Sequence, residues 1–131
     1  MAHSVATFLM FAGQAEAAMQ LYQSLFPDAT IRCLERWEPG EAGPAGAVKQ
    51  AELELCGQRL RFFDSPAVHD FTFTPAVSLF VECESEAELD ATFARLADGG
   101  QVLMPLGDYG FSRKFGWTND RFGVSWQLNL A

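Results

Sequence analysis

The chain has 131 residues, 49% of them hydrophobic and 20% charged, with a formal net charge of −8 and a pI near 4.6. That length is one domain's worth of chain, able to bury about two thirds of the surface its unfolded form exposes. The acidic balance repels phosphate backbones and anionic lipid, which argues against nucleic acid and membrane surfaces as partners, and no run reaches the ~18 apolar residues that a spanning helix needs.

In chain order, Val5 to Phe11 reads as a short apolar strand ended by Gly13. Gln14 to Phe26 then places Ala18, Leu21, Tyr22 and Leu25 at helical spacing, with Pro27-Asp28 as the stop. Ala29 to Trp37 follows as a strand, and the stretch from Glu38 to Gly46 is a loop, too rich in Gly and Pro to be regular. Val48 to Leu55 alternates, Gly57-Gln58 turns, and Arg59 to Phe63 returns, so the first half is β-α-β-β-β.

Ser65 to Thr74 reads as the connection between halves. Ala76 to Cys83 is then a strand, and Ser85 caps a helix carrying Leu89, Phe93 and Leu96 at helical spacing, with Glu88 completing a capping box and Gly99-Gly100 ending it. Val102 to Met104, Phe111 to Thr118 and Val124 to Leu130 supply three more strands. The last two form a hairpin about a turn built from Asn119, Asp120 and Gly123. In its final strand Val124, Trp126, Leu128 and Leu130 point to the core, and Ser125, Gln127 and Asn129 point to a face polar enough to line a cavity.

The second half therefore repeats the first. Sliding the chain by about 71 residues lays Ala18 on Leu89, Tyr22 on Phe93 and Leu25 on Leu96. The expected fold is α+β, with two βαβββ modules, residues 5–64 and 76–131, paired in a single domain over residues 1–131. A ligand site is expected in the cleft between the modules, where side chains of both converge.

Cys33, Cys56 and Cys83 are odd in number and lack CxxC or Cys/His spacing, so neither a disulfide framework nor a zinc site is indicated. Each lies in an apolar run and is expected to be a small buried hydrophobe. With no cationic and apolar leader pattern, a reducing cytoplasm is the expected location.

The two modules, the stretch from Phe8 to Phe26 and the stretch from Trp117 to Leu128 resemble the vicinal oxygen chelate superfamily, which includes glyoxalase I, bleomycin-resistance proteins and extradiol dioxygenases. Within it they resemble the PhnB-like group, often described as 3-demethylubiquinone-9 3-methyltransferase-like, and Asp120 to Leu128 is the most specific part. The resemblance implies a homodimer. It also implies that metal-dependent members take His or Glu ligands from the first and last strand of each module. Those positions fall near Thr7, near Phe62, on Ser78 and on Gln127, the first two to within about a residue. None is a carboxylate or an imidazole, so no metal and no other cofactor is expected. A methyltransferase using S-adenosylmethionine would need a glycine-rich strand-to-helix turn, and Phe11-Ala12-Gly13-Gln14 lacks that form.

Strand parity counted from these positions puts Leu9, Phe11, Phe62, Asp64, Ser78, Phe80, Glu82 and Gln127 on the concave side. The expected ligand is a small hydrophobic or aromatic molecule, held by Leu9, Phe11, Phe62, Ser78, Phe80 and Gln127. Trp117 is expected to stack on it, and Tyr109, in a Pro105–Gly110 loop bracketed by glycines, to cover the mouth. The alternative is an enzyme, either the methyltransferase of the family description or a glyoxalase-like lyase or isomerase with a displaced metal site. Asp64, Glu82 and the inter-module His69 are its candidate acid–base groups. A filled cavity would instead leave a structural interaction module.

Overall fold

The computed structural model describes residues 1–131. The chain runs β1 (Thr7–Phe11), α1 (Ala15–Leu25), β2 (Thr30–Arg36), β3 (Val48–Leu55), β4 (Gln58–Asp64), β5 (Leu79–Glu82), α2 (Glu86–Ala97), β6 (Gln101–Gly107), β7 (Lys114–Asn119) and β8 (Ser125–Leu130). This is βαβββ twice, an α+β arrangement of the glyoxalase/bleomycin-resistance kind. It falls into two compact units, Met1–Asp70 and Phe71–Ala131. No helix is long and apolar enough to cross a membrane.

Each unit holds a four-stranded mixed sheet with the same permutation, β1-β4-β3-β2 in the first and β5-β8-β7-β6 in the second. The first and last strands of a unit are parallel neighbours and the other pairings are antiparallel. A parallel pair needs a crossover between its strands, and here the helix and two further strands supply it. The helix then covers one face of its own sheet and leaves the other face to be filled some other way.

In the first unit the covered face carries Leu9 and Phe11 of β1, Val48, Ala51, Leu53 and Leu55 of β3, and Leu60 and Phe62 of β4, all buried. Phe62 stacks on Phe11 with ring centroids 5.7 Å apart and lies 6.1 Å from the ring of Tyr22 on α1. In the second unit Trp126, Leu128 and Leu130 pack with Leu89, Phe93 and Leu96 as core. Gly116 of β7 is required for this packing, because a Cβ there would lie 2.5 Å from Phe93 Cε1.

The two helices start differently. Ser85 accepts a hydrogen bond from Glu88 N at 3.1 Å, the expected cap, while Glu88 reaches back to Glu84 N rather than to Ser85 itself. Helix α1 has no local side-chain cap. Its first amides are taken instead by Asp64, 1% exposed at the end of β4: Oδ1 accepts from Gly13 N at 2.8 Å and Ala15 N at 3.0 Å, and Oδ2 from Val48 N at 2.8 Å. The Asp64 carbonyl accepts from Trp37 Nε1 at 3.0 Å.

Several boundaries differ from expectation. The glycine-rich segment after Trp37 folds back on it, with Trp37 N donating to Ala47 O and Gly46 N to Trp37 O. The β3–β4 turn is Cys56-Gly57, both at positive φ. Strand β6 runs on through Pro105, Leu106 and Gly107, its pairing with β7 shifted twice along the way. Cys33 and Cys56 are exposed, one on edge strand β2 and one in that turn, and only Cys83 is buried. Burial first, with Glu88 and Glu82 adding to it, pushes the Cys83 thiol up to about 11.

Asp64→Asn replaces one acceptor by a donor that faces a backbone N–H. Urea denaturation is expected to show a loss of about 2–4 kcal/mol, since each hydrogen bond to a charged group contributes about 1.5–3 kcal/mol. A loss below about 0.5 kcal/mol would mean the carboxylate does not hold α1 in place.

Candidate functional site

The uncovered face of the second sheet is organised in rows fixed by strand register. Glu82 of β5 lies beside Asn129 of β8, which lies beside Phe115 of β7. In the next row Phe80, Gln127 and Trp117 are neighbours, and beyond it Ser125 pairs with Asn119. Residues opposite one another on adjacent strands share a face, so these side chains point the same way, opposite to Trp126 and Leu128.

The polar groups of these rows bond across the strands. Gln127 Nε2 donates to Ser78 Oγ at 2.7 Å, Asn129 Nδ2 to Glu82 Oε2 at 3.0 Å, and Trp117 Nε1 to Ser125 Oγ at 2.8 Å. A carboxylate only accepts, so Glu82 fixes the Asn129 amide with its nitrogen toward β5 and its carbonyl away. Asn129 is 8% exposed, and its Oδ1, like Asn119 Oδ1, is buried with no partner. A buried acceptor left unmade costs about 1–3 kcal/mol. Two on one face mark a surface that awaits a donor.

An aromatic cluster borders the first two rows. Phe115 is 4% exposed and lies 5.0 Å from Phe111 and 6.0 Å from Tyr109, both edge-on, and 6.3 Å from Phe80. Phe80 and Phe111 are 54% and 63% exposed, a large apolar area to leave in water. The Tyr109 hydroxyl donates to Pro105 O, and Gly110 N donates to Asp108 Oδ1. The first bond ties the segment to the end of β6, where the sequence suggested a free loop, and the second closes the turn on itself.

Ser78, Phe80, Glu82, Tyr109, Trp117 and Gln127 are thus brought to one region of the second unit. Leu9, Phe11, Phe62 and Asp64 are not on a concave surface: they face α1 and are buried beneath it. The metal positions used to set parity in the first unit were known to within about one residue, and a slip of one reverses every side chain of a strand. Both oxygens of Asp64 are engaged by backbone amides and the residue is 1% exposed, so its carboxylate is turned to the chain and not to a substrate. His69 is exposed, with Nε2 3.1 Å from Ser65 Oγ, and that hydroxyl also reaches Ala67 O at 2.9 Å. Of the three acid–base candidates only Glu82 lies on the face described. Phe111, Asn119 and Asn129 join it unforeseen as site residues, although alternation along β7 and β8 already placed the Asn129 side of β8 on the polar face.

The donor set does not fit the divalent ion that the superfamily's metal enzymes hold. Ser78 and Gln127 hydrogen-bond to each other, Thr7 accepts from Gln58 Nε2 at 3.1 Å, and Phe62 packs on Tyr22. On the opposite face, the strand neighbours of these last two are Phe8, Arg61 and Phe63. No group of three or more His, Cys, Asp or Glu is placed to hold a metal ion.

Residues 3–129 match the family model described as 3-demethylubiquinone-9 3-methyltransferase. A PhnB protein from Bacillus cereus that carries the same description is 51% identical, covers 98% of this chain and 100% of its own, and superposes with a TM-score of 0.95. Protein YjdN of Escherichia coli is 22% identical over 95% of this chain and 92% of its own length. The fosfomycin resistance protein FosX of Listeria monocytogenes, 13% identical, covers 100% of this chain and 94% of its own with a TM-score of 0.62, a likeness of fold.

If Asn129 Oδ1 is kept for a ligand, it is a liability in the free protein. Asn129→Leu is expected to change the unfolding free energy by less than about 1 kcal/mol or to stabilise, because removing an unsatisfied acceptor offsets the lost bond to Glu82. A loss above about 2 kcal/mol in chemical denaturation would assign Asn129 to the architecture instead.

Proposed function

The chain belongs to the 3-demethylubiquinone-9 3-methyltransferase family, the PhnB-like group of the vicinal oxygen chelate superfamily, and on that footing we propose that it binds a small, partly aromatic organic molecule without a metal. The observation that carries this reading is the uncovered face of the second sheet, where exposed Phe80 and Phe111 adjoin amides with unused carbonyl oxygens. Ser78, Phe80, Tyr109, Trp117 and Gln127 are its ligand-binding residues, joined by Glu82, Phe111, Phe115 and Asn129. Apolar rings provide burial and the amides and hydroxyls provide orientation, the usual division of labour in small-molecule sites.

The family description does not bring a methyltransferase site with it. The turn leading into α1 has the amides of Gly13 and Ala15 occupied by Asp64, so these two are not available to a nucleoside cofactor. Should the molecule be turned over rather than held, Glu82 is the acid–base group in reach of it. Three free thiols suit a cytoplasmic setting.

A homodimer belongs to the same proposal. Edge strand β2 is exposed along most of its length and edge strand β6 is partly exposed, and they carry Ile31 and Val102 at the surface. Light scattering at micromolar concentration is expected to give twice the 14.4 kDa chain mass, and a monomer at that concentration would refute this part.

Trp117 reports on occupancy. A bound aromatic molecule is expected to quench tryptophan fluorescence in the wild type and not in Trp117→Phe, and Gln127→Leu to weaken binding about tenfold through the lost orienting bonds. Equal quenching in both proteins would place the ligand elsewhere.

A further inference from the structure

The chemistry of the row Glu82–Asn129–Phe115 is one-sided. Apart from the second N–H of Asn129 Nδ2, its polar capacity is for accepting: the Glu82 carboxylate and the unpartnered Asn129 Oδ1. Its apolar atoms are ring faces and edges, from Phe80, Phe111, Phe115 and Tyr109. The two basic side chains that precede Phe115 are engaged elsewhere. Lys114 is turned to Glu86 at 2.9 Å and Asp90 at 2.8 Å on α2, and Arg113 Nε donates to the carbonyl of Ala131. The donors on this face sit in the adjoining rows, where Ser78 and Ser125 each accept one hydrogen bond and keep their own O–H to give.

We infer that the ligand of this face carries a protonated amine on an aromatic or apolar body, with the ammonium seated between Glu82, Asn129 Oδ1 and the rings around Phe115. An ammonium supplies the donors that the carboxylate and the orphan carbonyl lack, and ring faces attract it through their quadrupoles. The body of the molecule then lies along Phe80 and Trp117, with any hydroxyl or carbonyl group meeting Ser78. An anionic ligand would face the Glu82 charge while Lys114 and Arg113 are engaged elsewhere, in a chain whose net charge is −8. The inference rests on the proposal that this face is the binding site, and it adds the charge class.

Three probes of one shape separate the alternatives: phenethylammonium, phenethyl alcohol and phenylacetate, each titrated at neutral pH against the fluorescence of Trp117. The cation is expected to bind about tenfold more tightly than the alcohol and the anion most weakly. In Glu82→Gln, which keeps an acceptor for Asn129, the preference for the cation over the alcohol is expected to fall to about threefold or less, through a larger loss for the cation than for the alcohol. Phe111→Leu is expected to weaken the cation more than the alcohol, because it removes a ring face while keeping apolar bulk. Equal affinities for the three, or a preference for phenylacetate, would overturn the charge assignment and leave the site standing. A response to none of them would overturn the site and the inference together.

Discussion

The carboxylate of Asp64 is the interaction on which the first unit depends. It ends β4, and from there it satisfies the opening amides of α1 and the first amide of β3, while its own main-chain carbonyl receives the Trp37 indole. Four segments distant in sequence are joined at one residue that water does not reach. A charged acceptor with three amide donors is worth burying only when all its bonds are made, and here the fold makes them together. The consequence is positional. With α1 pinned to the end of β4, the faces of β1 and β4 that carry Leu9, Phe11 and Phe62 have to be core.

The second unit repeats the strand order but solves the same problems with other residues. Helix α2 has a local cap in Ser85, so the end of β8 is not needed to supply one. A buried aspartate appears instead before β8: Asp120 Oδ1 accepts from Phe122 N and Val124 N, and Oδ2 from Trp126 Nε1. That arrangement fixes the hairpin turn and the Trp126 ring, and with them which residues of β8 face α2. The uncovered face is therefore as firmly determined as the core, because one register sets both.

Much of this was legible in the sequence. The repeat, the order of elements and the core face of β8 follow from spacing alone, since Trp126, Leu128 and Leu130 can only alternate with Gln127 and Asn129. The face of β1 and β4 was not legible. Strand β1 is apolar on two sides, Phe8 and Met10 alternating with Leu9 and Phe11, so periodicity offers no preference there. In β4 Arg59 and Arg61 alternate with Leu60 and Phe62 and do mark the core face, but parity counted from a reference position known only to about one residue reversed the assignment of both. Asp64 was misread for a related reason. Its partners Gly13, Ala15 and Val48 are contributed by other segments, and nothing local to Asp64-Ser65-Pro66 distinguishes such a residue from a turn aspartate. Cys33 and Cys56 looked buried because their neighbours are apolar, whereas an edge strand and a two-residue turn have too little around them to bury anything.

What separates the open face of β8, β7 and β5 from mere leftover surface is the contrast between the two tryptophans of these strands, one on each side, and Asn129. Trp126, on the core side, has its indole N–H satisfied by Asp120, and Trp117, on the open side, has its own satisfied by Ser125. The protein therefore closes hydrogen bonds on both faces where it can. Asn129 breaks that pattern: its nitrogen is anchored to Glu82 and its carbonyl is buried with nothing to accept. A sheet that needed only to pack could carry Thr or Val there, as β-strands generally do, and avoid the penalty. Keeping an oriented but unpaired acceptor beside exposed rings makes sense for a surface completed by something else, and its row of Glu82, Asn129 and Phe115 states the polarity of what completes it.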